Sequence, residues 1–179
     1  MSERDTKLTL KIAMTAIFIA LGVVLSYLNP FGYFLIFGTK INPFAHLINA
    51  ITGVLLGIIF SFTTALGIAI IRFSVGIGTI HAFHGGISGA ILVSTIAYFL
   101  RKKKPKYTNL AALFEPIGTV FIGGTIGYLV SPIGDSLILG LITYWWLFFL
   151  SSVTGSIIGF MILIILNKAG YSWEIFLLT

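Results

Sequence analysis

The sequence predicts an all-α, polytopic membrane protein that forms a single domain over residues 1–179. Of its 179 residues, 58% are apolar and only 9% are charged, whereas a soluble domain carries about a quarter charged residues. Long stretches contain no charge at all, and about 20 mostly apolar residues suffice to cross the hydrocarbon core of a bilayer. These stretches are Ile12–Thr39, Ile41–Ile71, Phe73–Leu100, Pro116–Gly134 and Ser136–Asn167.

Gly, Pro and Asn divide the stretches into six predicted crossings. The first ends at Asn29, and an aromatic loop, Tyr33–Asn42, follows. Pro43 opens the second helix, because proline suits a first helical turn. Gly76–Thr79 breaks the short third crossing, and His84–Gly86 precedes the fourth. The crossings are about Leu8–Leu28, from just after Pro43 to Phe60, Thr63–Val75, Ile87–Leu100, Leu110–Val130 and Leu139–Leu166.

The basic residues predict that both termini are cytoplasmic. With the N-terminus inside, nine of the 11 Lys and Arg residues face the cytoplasm, as the positive-inside rule requires. They are Arg4, Lys7, Lys11, Lys168 and the five basic residues of Arg101–Lys106. Lys40 and Arg72 remain on the outer side. The net charge of +6 therefore indicates orientation and not nucleic-acid binding.

Polar side chains on the outer side are candidates for binding. His46 and Asn49 lie three residues apart, so they share a helix face. They either join two helices by a hydrogen bond or contact a ligand, because an unpaired polar group there is costly. Arg72 marks a site or a partner, or its side chain snorkels to the interface.

Two further features carry polar chemistry. His81 and His84 lie in an irregular Gly-rich run, but the absence of Cys and of outer carboxylates other than Asp135 argues against a metal site. Glu115 lies one to two turns inside the fifth crossing, where a carboxylate needs a partner. Its estimated depth places it away from the outer His residues and makes pairing with Arg72 unsafe to assume.

Small and aromatic residues mark packing surfaces. Ala13, Ala16 and Ala20 form a stripe on the first helix that either packs within this chain or docks a partner subunit. Gly123–Gly127 suggests close approach of another helix in the fifth crossing. Tyr144–Trp146 fits an aromatic belt, with stacking on a flat ligand as the alternative.

No catalytic motif is present: there is no zinc-binding His-Glu-x-x-His, no nucleophile elbow and no phosphate-binding loop. The chain has no Cys, which excludes thiolate catalysis and disulfides. We therefore expect binding or transport, no enzyme activity and no cofactor or metal.

Four segments resemble the substrate-binding (S) components of energy-coupling factor vitamin transporters, most closely the ThiW family. The segments, which occur in the family's order and spacing, are Lys40–Gly57, Ile71–Tyr98, Glu115–Gly124 and Ser151–Gly159. The chain departs from the family pattern at Phe114, where Gly is usual, and at Ala82–Gly86, where Ala-Phe-Pro-Gly-Ser is usual.

The resemblance implies a six-helix protein of the prokaryotic cell membrane that binds hydroxyethylthiazole, a thiamine precursor, near the outer surface. It implies a membrane coupling subunit and two cytosolic ATPases as partners, and it makes the Ala13, Ala16 and Ala20 stripe the coupling face.

On this basis a site can be sketched. We expect hydrogen bonds from His46, Asn49 and Arg72, and a lid formed by Tyr33–Phe37. The remaining predicted contacts are backbone closure by Gly78, Thr79 and His84, stacking by Tyr144 or Trp145, and a polar or structural role for Lys40, Asn42, Glu115 and Thr119.

Three alternatives remain open at this point. The ligand could be another small heteroaromatic compound, such as a pyrimidine or a pyridoxine-like vitamin. The chain could be an intramembrane enzyme that uses Glu115 and a His. It could also be a structural membrane subunit whose Ala stripe only assembles a complex.

Overall fold

The computed structural model describes residues 3–30, 35–36 and 39–177, and it confirms the all-α class. Two two-residue strands form an antiparallel hairpin between the first two helices. The elements are α1 Glu3–Tyr27, β1 Leu35–Ile36, β2 Thr39–Lys40, α2 Pro43–Leu55, α3 Ile58–Ser74, α4 His81–Lys103, a 3₁₀ segment Pro105–Phe114, a π segment Ile117–Gly123, α5 Gly124–Val130, α6 Leu137–Lys168 and α7 Trp173–Phe176.

Within the described residues, four helical stretches are long and apolar enough to cross a membrane. They are α1, α4, α6 and the continuous stretch Pro105–Val130, with lengths of 25, 23, 32 and 26 residues. The apolar helices α2 and α3 are shorter, at 13 and 17 residues. Six crossings therefore remain a prediction.

Successive helices run in opposite directions between two ends of the bundle. One end, which we call the cavity end, gathers the start of α2, the end of α3 and the start of α4. The opposite end, which we call the basic end, gathers Lys11, Arg101, Lys102 and the reversal between α2 and α3. That reversal occurs at Gly57, whose φ of 84° strains any residue with a side chain.

The helix α2 is the centre of the bundle. Twelve of its 13 residues are buried, including the polar residues His46, Asn49 and Thr52. Ile48 and Val54 are fully enclosed, and residues of α1, α3, α4 and α6 pack against them in one core. The polar residues of α2 are therefore held within protein and not in lipid.

Several predicted boundaries differ from the structure, and α1 and α3 each begin five residues earlier than predicted, at Glu3 and Ile58. The helix α4 begins at His81 and not at Ile87, so His84–Gly86 lies inside it. Packing outweighs the low helix propensity of glycine here, because a Cβ on Gly85 would overlap the ring of Phe148. The helix α2 ends at Leu55 instead of Phe60, and the fifth helical stretch starts at Pro105 instead of Leu110.

Candidate functional site

A cavity lies at the cavity end, between α2, α3, α4 and α6. The space open to the centre of a water-sized sphere is about 50 Å³. Since about 10–15 Å³ of such space holds one water molecule, the cavity holds roughly four, which suits a small ring compound. The lining residues are Asn42, Ala45, His46, Arg72, Thr79, His81, Ala82, Gly86, Leu147, Phe148 and Ser151.

Arg72 is the charged residue of this lining. It lies in the last turn of α3 and is only 7% exposed. Its Nε is buried without a hydrogen-bond partner, and the side chain makes no ion pair with any residue that the structure describes. The backbone N–H groups of Ile77 and Gly78 donate to the Arg72 carbonyl at 3.0 and 2.9 Å, which fixes the end of the helix. Arg72 therefore lines the cavity without an ion-pair partner in the described part of the chain.

A buried polar cluster lies behind the cavity wall. Glu115 is 0% exposed, and its Oε1 lies 2.7 Å from His46 Nδ1. The same oxygen accepts from the Thr119 hydroxyl at 2.7 Å and from Asn49 Nδ2 at 3.4 Å. Asn49 Nδ2 also donates to the carbonyl of Gly86 on α4 at 2.9 Å. Both interpretations of the His46 and Asn49 pair thus have support, since Asn49 joins two helices and His46 also lines the cavity.

The expectation that Glu115 lies away from the His residues is wrong. Ten residues of 3₁₀ helix, Pro105–Phe114, precede it. A 3₁₀ helix rises about 2.0 Å per residue against 1.5 Å in an α-helix, so Glu115 is carried about 5 Å further toward the cavity end than an α-helix would carry it. The π segment that begins two residues later belongs to a class of helix often found at functional sites.

Gly89 provides the room for this cluster. A Cβ on Gly89 would overlap the carboxylate of Glu115 and the hydroxyl of Thr119. Gly123 and Gly127 of the fifth crossing likewise allow another helix, α4, to pack closely, as the sequence suggested. A Cβ on Gly123 would lie 2.7 Å from Ser88 Oγ, and one on Gly127 would lie 2.7 Å from His84 Cε1.

A second polar chain runs from the cavity to the start of α6. His81 lines the cavity, and its Nδ1 lies 3.0 Å from His84 Nε2. His84 itself is outside the lining and its Nδ1 lies 2.8 Å from the carbonyl of Gly123. Tyr144 is buried and donates to the Ser131 carbonyl at 2.6 Å. No group of three metal-ligating side chains occurs in the part of the chain that the structure describes.

The predicted aromatic contacts do not face the cavity. Trp145 donates through Nε1 to Thr125 Oγ1 at 3.1 Å and packs edge-on against Phe121. Tyr144 stacks on Phe148, and Phe148 rather than Tyr144 lines the cavity. Packing against α5 therefore sets the directions of these side chains. The tandem aromatic residues in the sequence do not indicate which way each ring points.

The residues that enter α2 hold the cavity rim together. The backbone N–H of Asn42 donates to Ser151 Oγ at 2.9 Å, and its side-chain Nδ2 donates to Ser26 Oγ at 2.7 Å. The predicted lid, Tyr33–Phe37, lies outside the described residues except for the backbone of β1. Nothing is described of the Lys40 side chain.

Four predicted site residues line the cavity: Asn42, His46, Arg72 and Thr79. Asn49, Glu115 and Thr119 form the cluster behind it, and Gly78 packs against Arg72. Gly86, which lies in the His84–Gly86 segment expected to close around the ring, also lines the cavity, whereas sequence reasoning did not assign Ala45, His81, Ala82, Leu147, Phe148 and Ser151 to the site. Of these, His81 had a detectable signal, because it lies three residues before His84 on one helix face.

The alanine stripe lies on the outside of the bundle. Ala13, Ala16 and Ala20 are exposed, whereas the buried face of α1 carries Phe18 and Gly22. The stripe therefore does not serve packing within this chain.

Comparison with known families agrees with a transport role. The model of the family described as "Thiamine-precursor transporter protein (ThiW)" matches residues 12–169. No curated protein and no solved structure matches the chain. Because the family match covers nearly the whole sequence, this chain belongs to the ThiW family of thiamine-precursor transporters.

Proposed function

We propose that the chain is the substrate-binding subunit of an energy-coupling factor importer and that it binds hydroxyethylthiazole at the outer face of a prokaryotic cell membrane. The observation that carries this proposal is Arg72, a buried cation that has no ion-pair partner among residues 3–30, 35–36 and 39–177 and that lines a ring-sized cavity in a thiamine-precursor transporter. A buried charge without a partner is costly, so a ligand that accepts a hydrogen bond from it is the simplest compensation.

The lining supports a small, neutral heteroaromatic ligand. Ala45, Ala82, Leu147 and Phe148 supply apolar wall for a ring. Mostly apolar pockets with a few placed polar groups are typical of small-molecule sites. Arg72 can donate to the ring nitrogen of a thiazole, while the polar side chains on the other walls are available for its hydroxyl.

The distribution of basic residues supports an outward-facing cavity. Lys11, Arg101 and Lys102 lie at the basic end, which the positive-inside rule assigns to the cytoplasm. Both termini are then cytoplasmic. Because the chain has no Cys, single-cysteine variants test this directly. Asp135→Cys should react with an impermeant maleimide in intact cells and Lys104→Cys should not; the opposite pattern would refute the orientation.

The exposed alanine stripe supports a membrane coupling subunit as partner. Small residues let two membrane helices approach closely, and this face of α1 is free of the bundle. The chain carries no phosphate-binding loop, so ATP hydrolysis is assigned to two cytosolic ATPases of the complex.

The test of the ligand is mass spectrometry of small molecules that copurify with the protein, followed by calorimetry. Hydroxyethylthiazole should bind more tightly than a hydroxymethylpyrimidine or pyridoxine. A preference for either competitor would replace the thiazole by that ligand. Binding of none of them, together with turnover of a lipid or peptide by the isolated chain, would support an intramembrane enzyme instead.

A further inference from the structure

The two ring nitrogens of His46 face different surroundings. Nδ1 lies 2.7 Å from Glu115 Oε1, whereas Nε2 has no hydrogen-bond partner among the residues in the described ranges. Nε2 is not enclosed by protein atoms. It is therefore open to the cavity that His46 lines. Glu115 is fully buried and does not belong to the lining. It can therefore act on a ligand only through His46.

The donors around Glu115 determine which His46 nitrogen carries the proton. The carbonyl of Gly86 can only accept, so the Asn49 atom that faces it is the amide nitrogen, which also points at Glu115 Oε1. The Thr119 hydroxyl lies 2.7 Å from the same oxygen and 3.0 Å from the carbonyl of Gly85, so its single hydrogen can be donated to either. A hydrogen on Oε1 would oppose the Asn49 donor, and any carboxyl proton belongs on Oε2, which has no partner among the described residues. Oε1 is therefore an acceptor.

A neutral imidazole with Nδ1–H directed at this acceptor has a lone pair at Nε2. We infer that Glu115 is a positioning residue that holds His46 in this tautomer, so that the cavity accepts a hydrogen bond at Nε2 and selects ligands that donate one there. On the proposed function, on which this inference rests, the donor is the hydroxyl of hydroxyethylthiazole. The O-methyl ether of that hydroxyl lacks the hydrogen to donate and should be discriminated against.

The tautomer is testable without any ligand. In ¹⁵N NMR spectra of the purified protein, the His46 signals are those that disappear in His46→Asn. We expect a neutral ring protonated at Nδ1 in the native chain and in Glu115→Gln, because the Gln carbonyl oxygen can accept the same hydrogen bonds. A ring protonated at Nε2, or at both nitrogens, in the native chain would overturn the inference. This readout remains decisive even if other variants fail to fold.

Binding tests the consequence for the ligand. By calorimetry the native chain should bind hydroxyethylthiazole at least tenfold more tightly than its O-methyl ether, and Glu115→Gln should keep this ratio. Glu115→Met removes the acceptor at similar side-chain length, so the ratio should fall to threefold or less. Ser94→Ala is the matched control, because it removes a buried hydroxyl of α4 that lies at the basic end and donates to the Ala90 carbonyl; it should keep the ratio.

The outcomes separate the inference from the proposed function. If Glu115→Met keeps the tenfold ratio, or if Glu115→Gln loses it, the carboxylate does not act as a positioning acceptor and the inference fails. If the native chain binds no thiazole while His46 is protonated at Nδ1, the proposed substrate fails and the orientation of His46 by Glu115 stands.

Discussion

Replacing Arg72 with Met should stabilise the empty protein and weaken ligand binding at the same time. Arg72 is buried, its Nε has no partner, and its side chain lines the cavity. Met fills a similar volume without a charge. The two opposite effects arise because the guanidinium contributes a favourable interaction only when a ligand occupies the cavity.

The magnitudes follow from the cost of a buried charge and the strength of a charged hydrogen bond. Placing Arg at the centre of a membrane helix costs about 2.5–3.5 kcal/mol on insertion scales; because Arg72 lies in the last turn of α3, a smaller part of this should return as stability in Arg72→Met. A hydrogen bond to a charged group contributes about 1.5–3 kcal/mol. At about 1.4 kcal/mol per factor of ten, the affinity for hydroxyethylthiazole should fall by tenfold or more.

Arg101→Met is the matched control at the basic end. Arg101 is half-buried on α4, donates to the carbonyls of Gly53 and Val54, and lies 5.6 Å from the ring of Trp173. Its Nε lacks a partner among the described residues, as the Arg72 Nε does, but its Nη2 is hydrogen-bonded in the empty protein, so its loss should lower the melting temperature and leave binding unchanged. The assays are thermal unfolding in detergent and calorimetry on the same samples. An Arg72→Met protein that binds like the native chain, or that melts below it as Arg101→Met does, would refute the reasoning.

Two further predictions concern packing and assembly. Gly89→Ala should destabilise the fold by about 1–3 kcal/mol, because the added methyl group overlaps the carboxylate of Glu115. Gly86→Ala on the same helix should not destabilise it, because the nearest neighbour of the added Cβ is 3.9 Å away. Equal melting temperatures for the two variants would contradict this prediction. Ala16→Leu and Ala20→Leu should abolish copurification with the coupling subunit and leave thiazole affinity unchanged, since both residues face outward from the bundle; retained copurification would exclude this face as the docking surface.

The depth of Glu115 shows why the site was only partly predictable. Hydropathy identifies the residue as a carboxylate within an apolar stretch, and this property is local. Its position relative to His46, 69 residues earlier, depends on the rise of the helix that carries it. The helical stretch begins at Pro105 instead of Leu110, and its 3₁₀ segment rises more per residue than an α-helix, so an α-helical estimate that starts at Leu110 places Glu115 too far from His46.

Composition and spacing along the chain are enough to predict an apolar helical protein in which Arg72 and Glu115 are costly exceptions. The packed structure was needed to show that Arg72 has no ion-pair partner among the described residues, that His46 rather than Asn49 lines the cavity, and that Trp145 turns away from it. Side-chain direction and pairing depend on which helices pack together, and those contacts join residues far apart in the chain.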